Sequence, residues 1–162
     1  MKVVILAAAL LGLAAQPVLA QNPGQVARAR GGASCPRCNL FQADFAGLRL
    51  TARDFTGARL RQADFSLSVM HRLKLAHTDL RDANFYGAVI THSDFTGADL
   101  GHASLVGADL DGSTFAAAKL EGADLSGAEL KTAHGLTQST LDRACGDDAT
   151  KLPKGLHVAS CK

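Results

Sequence analysis

From Leu40 to Leu130, every fifth position of this chain carries a large apolar residue. The series is Leu40, Phe45, Leu50, Phe55, Leu60, Phe65, Met70, Leu75, Leu80, Phe85, Ile90, Phe95, Leu100, Leu105, Leu110, Phe115, Leu120, Leu125 and Leu130, and nineteen of nineteen positions obey it. A period of five fits neither the 3.6 of an α-helix nor the 2 of a flat strand. Internal repetition therefore sets the fold.

The other four positions of the unit have their own character. Two residues before the centre the chain is usually small, as at Ala43, Ala58, Ala63, Ser68, Thr78, Ala83 and Ala98. One residue before it is commonly polar, as at Asp44, Asp54, Asp64, Asn84, Asp94 and Asp99. Two residues after it Gly is frequent, as at Gly47, Gly57, Gly87, Gly97 and Gly107. In a short extended segment the small and large residues share parity and point inward, while the polar residue between them points out. Gly then lets the chain turn a corner where a positive φ is needed. Each pentapeptide is one side of a coil, and stacked coils bury their residues in columns.

The number of sides follows from how the columns sort. At a period of 15 the centres mix Leu with Phe, whereas at 20 Leu40, Leu60, Leu80, Leu100 and Leu120 align, as do Phe45, Phe65 and Phe85. Phe55, Phe95 and Phe115 fall together, and so do Leu50, Met70, Ile90, Leu110 and Leu130. Four sides are expected. Nineteen pentapeptides at four to a coil stack to ~23 Å at the usual strand spacing. Leu48, Arg53 and Leu73 break the small-residue rule, and Arg53 and Leu73 fall on one side of adjacent coils. A local bulge or widened corner accounts for them, and a contact surface is the sharper alternative.

The units Ala98-Asp99-Leu100, Ala108-Asp109-Leu110 and Ala123-Asp124-Leu125 resemble the repeat of the pentapeptide-repeat family, roughly Ala-(Asp/Asn)-Leu followed by two free positions. The resemblance covers residues 38–132. It implies an all-β fold, a right-handed four-sided β-helix, with the handedness supplied by the family alone.

Around this solenoid the chain divides into residues 1–20, 21–37 and 133–162. Lys2 followed by 13 apolar residues, Val3 to Ala15, reads as a secretory signal peptide cleaved after Ala20. The apolar run is too short to span the ~30 Å of a bilayer core. A periplasmic or secreted location is expected, with no stable membrane span after signal removal. Residues 21–37 read as a flexible polar lead and cap. In the tail, Thr137 to Gly146 reads as one short capping helix with Thr137 as N-cap and Gly146 as stop. Leu136, Leu141 and Ala144 would cover the last coil.

Four cysteines in an exported chain suggest disulfides. Cys35 and Cys38 belong to the first coil and Cys145 and Cys161 lie beyond the last, while a disulfide needs Cα atoms within about 7 Å. Pairing within each end is expected. The Cys35-Pro-Arg-Cys38 spacing also invites a redox reading, but a thioredoxin-like pair sits at a helix start in an α/β fold, a context absent here. Haem attachment needs a His where Asn39 stands, and the distance between the ends forbids a four-cysteine zinc site.

Catalytic signatures are missing: there is no phosphate-binding Gly loop, HExxH pair or GxSxG elbow. The repeat explains the Asp residues as solvated outward positions, and a straight column offers no cleft to perturb their pKa. His71, His77, His92, His102, His134 and His157 show no ligand spacing. No enzyme, metal or cofactor is expected.

Charge is segregated along the chain. Residues 21–81 hold 10 Lys+Arg and 4 Asp+Glu, whereas residues 82–132 hold 2 and 8. A basic half and an acidic half could orient a partner or drive head-to-tail association. Candidate interaction residues are Arg53, Arg61 and Arg81, with a modest apolar patch from Leu67, Tyr86 and Val106. The expected function is a non-enzymatic protein-interaction or scaffolding module, monomeric, with a protein partner and no nucleic acid. The alternative is a DNA mimic that binds type II topoisomerases, as some family members do. The basic half and the export signal argue against it.

Overall fold

The computed structural model describes residues 21–162. The signal peptide expected over residues 1–20 lies outside the described residues.

The repeat builds parallel pairing at a spacing of twenty residues. Strands β1 (Arg49–Thr51), β2 (Val69–His71) and β3 (Val89–Thr91) lie side by side in parallel, with Leu50 opposite Met70 and Met70 opposite Ile90. Single parallel bridges continue the same register elsewhere, among them Asp44 to Asp64, Asp79 to Asp99 and Thr114 to His134. Four pentapeptides thus separate each residue from the one stacked on it. Beyond His134 the register slips, and Asp124 pairs with Cys145 and Glu129 with Lys151.

Both inward columns are buried. The large centres from Leu40 to Leu130 and the small residues two positions before them form one continuous apolar core. Phe45, Phe65 and Phe85 stack face to face at 4.9 and 4.8 Å, and Phe95 and Phe115 at 4.9 Å. Offset stacking of this kind adds about 0.5–1.5 kcal/mol per pair to the burial of the rings. Where a hydroxyl replaces Ala in the small column, it is satisfied locally: Ser68 Oγ and Thr78 Oγ1 each donate to the carbonyl three residues back at 2.6 Å.

The expected bulky exceptions sit near the N-terminal end. Leu73 is inside, 1% exposed, and its N–H donates to Ser93 Oγ at 3.0 Å. Ser93 N–H donates in turn to Ser113 Oγ. The corner after β2 and β3 is therefore closed by serine hydroxyls, where corners such as those after Leu40 and Phe55 use the backbone carbonyl of the centre itself.

Two segments differ from the sequence reading. Residues 21–37 include α1 (Pro23–Arg30), whose N-cap Asn22 accepts from Gln25 N–H at 3.1 Å. Ala29 is buried, and Gln25 Oε1 accepts from Asn39 N–H at 2.7 Å. This lead is an ordered helix docked on the first repeat, not a flexible segment. In the tail, α2 (Gln138–Leu141) starts at the expected N-cap Thr137 but stops after four residues. Gly146 does not end it: β4 (Cys145–Gly146) pairs in parallel with β5 (Ala159–Ser160). Cys145 is drawn into the ladder above Asp124, and that pairing ends the helix early.

The disulfides join Cys35 to Cys38, with Cα atoms 5.5 Å apart, and Cys145 to Cys161, with Cα atoms 4.8 Å apart. Each end of the molecule holds one.

Candidate functional site

What the molecule presents to a partner is decided at its corners. Every residue two places after a centre, from Arg37 to Gln42 and on to Gly127, has a positive φ, whether or not it is Gly. Non-glycine residues adopt this conformation at a cost, and His, Asn and Asp adopt it most readily. His77, His92 and His102 occupy such corners. The Asp before each centre supports the turn. Asp44, Asp54, Asp64, Asp94 and Asp124 each accept from the N–H two residues on, at 2.9 Å in every case. These carboxylates are therefore more than solvated outward groups. They are Asx-turn acceptors, and an Asp two residues upstream of a turn is a signal the sequence already carried.

The predicted basic residues fall in three different settings. Arg53 points inward and is half-buried, its guanidinium beside Gly32 and its Nε without a hydrogen-bond partner among the described residues. Arg61 bonds Asp82 at 3.0 Å. Arg81 makes two bonds to Asp79, at 2.8 and 2.7 Å, and those bonds hold the Asp79 carboxyl below the usual carboxylate range. Arg49, Arg72 and Lys74 are exposed cations of the same half.

The apolar candidates do come together. Leu67 is 64% exposed and Tyr86 56%, and Leu67 N–H donates to the Tyr86 carbonyl at 2.9 Å. Gly87 N–H donates in the same way to the carbonyl of half-buried Val106. The three therefore climb one edge of the molecule, with the Leu67 side chain lying over Gly87.

Two features were not expected. Asp124 lies beside the Cys145–Cys161 disulfide, with Cys161 Sγ 3.3 Å from its Oδ1. The sulfur atoms are spent on each other, and only a thiolate ligates a metal. The second feature is a cleft of about 260 Å³ between α2 and the last repeat, lined by Lys119, Leu120, Ser139, Thr140 and Arg143. Its signal in the sequence was faint, because it exists only where a helix replaces the next extended segment.

The family described as pentapeptide repeats (8 copies) matches residues 33–72, 54–87, 68–101 and 93–131, which together exceed half of the chain. The chain belongs to the pentapeptide-repeat family. Members of this family are characteristically non-catalytic scaffold proteins. Among solved structures, a pentapeptide-repeat protein from the thylakoid lumen of Arabidopsis thaliana is 34% identical, over 57% of this chain and 57% of its own, with a TM-score of 0.35. Rfr23 from the cyanobacterium Cyanothece 51142 is 23% identical, over 68% of this chain and 64% of its own, with a TM-score of 0.28. A trypsin-treated form of QnrB1, a plasmid-mediated fluoroquinolone resistance protein, is 14% identical, over 79% of this chain and 88% of its own, at 0.44. The chain thus spans less than two thirds of the length of the first two. No curated protein matches it. Among the described residues, no helix is long and apolar enough to cross a membrane.

Proposed function

We propose that this pentapeptide-repeat protein is a protein-interaction or scaffolding module that works in the periplasm or outside the cell. Its chain winds as a right-handed four-sided β-helix, closed by α1 at one end and by α2 with the β4–β5 pair at the other. The twenty-residue register supports four sides, and buried Ala29 and Leu141 support the two closures.

The observation that carries the functional reading is the segregation of charge on a rigid column. Residues 21–81 carry +6 (10 basic less 4 acidic) and residues 82–132 carry −6 (2 less 8). A partner with the opposite polarity is steered into one orientation by such a field, and the steering weakens with salt. Arg61 and Arg81 are already bonded to Asp82 and Asp79. Arg49, Arg72 and Lys74 therefore supply the recognition charge of the basic half, and the Leu67–Tyr86–Val106 edge supplies apolar contact.

Crosslinking capture with the mature protein, at low and at high salt, tests this. One dominant envelope protein should be captured at low salt and lost at high salt. The variant Arg49→Gln/Arg72→Asn/Lys74→Gln should lose it as well. Capture that ignores both salt and these substitutions would overturn the electrostatic reading. Capture of a type II topoisomerase from cytosol would replace it with the DNA-mimic reading.

A further inference from the structure

Among the described residues, the ladder that runs through the repeat centres lacks a rung at Leu120. Along the repeat, each centre donates its N–H to the carbonyl nineteen residues on, as Leu80 does to Asp99, Leu100 to Lys119, Leu105 to Asp124 and Phe115 to His134. The small residue two places before the centre accepts in turn, as Ala98 does from Lys119 and Ala103 from Asp124. After the register slips, Leu125 and Leu130 still find the carbonyls of Cys145 and Lys151, and Ala123 and Ala128 accept from the same two residues. Leu120 and Ala118 stand between these completed rungs. Among the described residues, Leu120 N–H has no acceptor and the Ala118 carbonyl no donor.

The cause is α2. Positions 138–141 are where the next extended segment would lie, and as a helix they turn their backbone groups onto one another: Asp142 N–H bonds Gln138 and Ala144 N–H bonds Leu141. Gln138 also ties the helix to the tail, its amide bonding the His157 carbonyl at 3.0 Å and its Oε1 accepting from His157 N–H at 3.2 Å. The helix covers the last repeat without pairing with it. Between them lies the cleft of about 260 Å³, whose floor holds Ala118 and Leu120 and whose far wall holds Ser139, Thr140 and Arg143.

Leu120 lines the cleft, and its N–H and the Ala118 carbonyl are strong hydrogen-bonding groups that no other part of the described residues uses. The unpaired N–H and C=O flank Lys119 as the paired ones flank Asp99, so one extended residue laid above Lys119 would satisfy both. Its N–H would donate to Ala118 and its carbonyl would accept from Leu120. In the lower tiers a polypeptide backbone supplies that donor and acceptor at that spacing, as Lys119 does for Ala98 and Leu100. The ion pairs at the mouth, Lys119 with Asp99 at 3.5 Å and Arg143 with Glu121 at 3.7 Å, leave no uncompensated charge to select an ionic ligand. The cleft holds only about 260 Å³, so the slot admits small side chains.

We propose that this slot takes an extended, uncharged, small-residue peptide segment of a partner protein, added as a parallel rung above Lys119. The proposal rests on the interaction-module reading, and it names where a partner's backbone is held. Recognition of this kind draws affinity from main-chain hydrogen bonds.

The test follows the Leu120 amide by NMR and hydrogen exchange in the full described chain. The probe is an acetylated, amidated pentapeptide, Gly-Ala-Ser-Ala-Gly. With a Kd of about 1 mM, the probe at about 10 mM should slow Leu120 exchange about tenfold. It should also shift the Leu120 resonance while leaving the Leu100 amide unchanged. Ser139→Trp, which fills the cleft from the exposed side of α2, should abolish both effects, and Ala46→Ser, at an exposed position of the first repeats, should leave them intact. An unchanged Leu120 amide overturns the proposal, as does an equal response in Ser139→Trp. Slowing that grows with protein concentration alone would assign the slot to a second copy of this chain instead. The salt-dependent capture does not read the Leu120 amide, so either result can fail without the other.

Discussion

The imidazole of His77 lies over Gly97, twenty residues further along the chain, so that a β-carbon at position 97 would stand 2.6 Å from His77 Nδ1. The same relation holds between Leu67 and Gly87, and between His92 and Gly112. A bulky corner residue leans toward the C-terminal neighbour in its column, and the glycine there gives it room. Gly97→Ala should therefore meet both the strain of a positive φ, about 1 kcal/mol, and a clash. Gly107 has a positive φ but nothing near its missing β-carbon. Denaturant melts should show Gly97→Ala as the more destabilising of the two, with His77→Ala restoring part of the difference.

Phe65 lies between Phe45 and Phe85 in a continuous stack. Phe65→Ala leaves a cavity that the rigid tiers above and below cannot close, and it should cost ~3–5 kcal/mol. A loss below about 1 kcal/mol in equilibrium unfolding would mean that the aromatic column does not support the stack.

The Cys145–Cys161 disulfide closes a separation of 16 residues and the Cys35–Cys38 disulfide one of 3. In the chain-entropy picture the first contributes about 3 kcal/mol and the second about half as much. Paired Cys→Ser variants should rank in that order by chemical denaturation. Loss of the larger loop should also raise hydrogen exchange at position 161, whose N–H donates to the Gly146 carbonyl.

Acid should weaken the fold through specific carboxylates. The Arg81 guanidinium holds Asp79 below its ordinary range, and the Thr56 hydroxyl and N–H do the same for Asp54. A carboxyl with a lowered folded pKa binds fewer protons folded than unfolded. Its stabilisation is complete above the unfolded value of about 3.9 and is lost as pH falls through the folded one. The melting temperature should hold from pH 7 to about 5 and drop below about 4. Asp79→Asn should lower it at pH 7, and the difference should shrink as pH falls below about 4.

Much of this architecture is written in a five-residue alphabet that repeats. Once Leu40 and Leu60 are known to stack, the neighbours of every residue between them follow, which is why the columns and the pairing of the four cysteines were readable. The helix α1 was not, because its eight residues are held by the bond between Gln25 and Asn39, a tertiary contact that no local pattern encodes. The Asn22-Pro23 start was nonetheless a legible sign of it. Arg61 and Arg81 were readable as basic positions, but their bonds to Asp82 and Asp79 depend on side-chain reach. The missing rung at Leu120 was the least accessible feature, since it requires knowing that residues 138–141 fold as a helix while their counterparts in each lower tier are extended.

The twenty-residue register has a consequence for how such a chain can change length over evolutionary time. Duplicating twenty residues within the regular part adds a storey and leaves every downstream side chain beneath its old neighbours. Duplicating five moves everything downstream into the adjacent column, setting Phe over Leu and turning Leu67, Tyr86 and Val106 away from whatever follows them. Gene-level slippage in units of twenty is therefore silent to the core, and slippage in units of five is a rewiring of the surface.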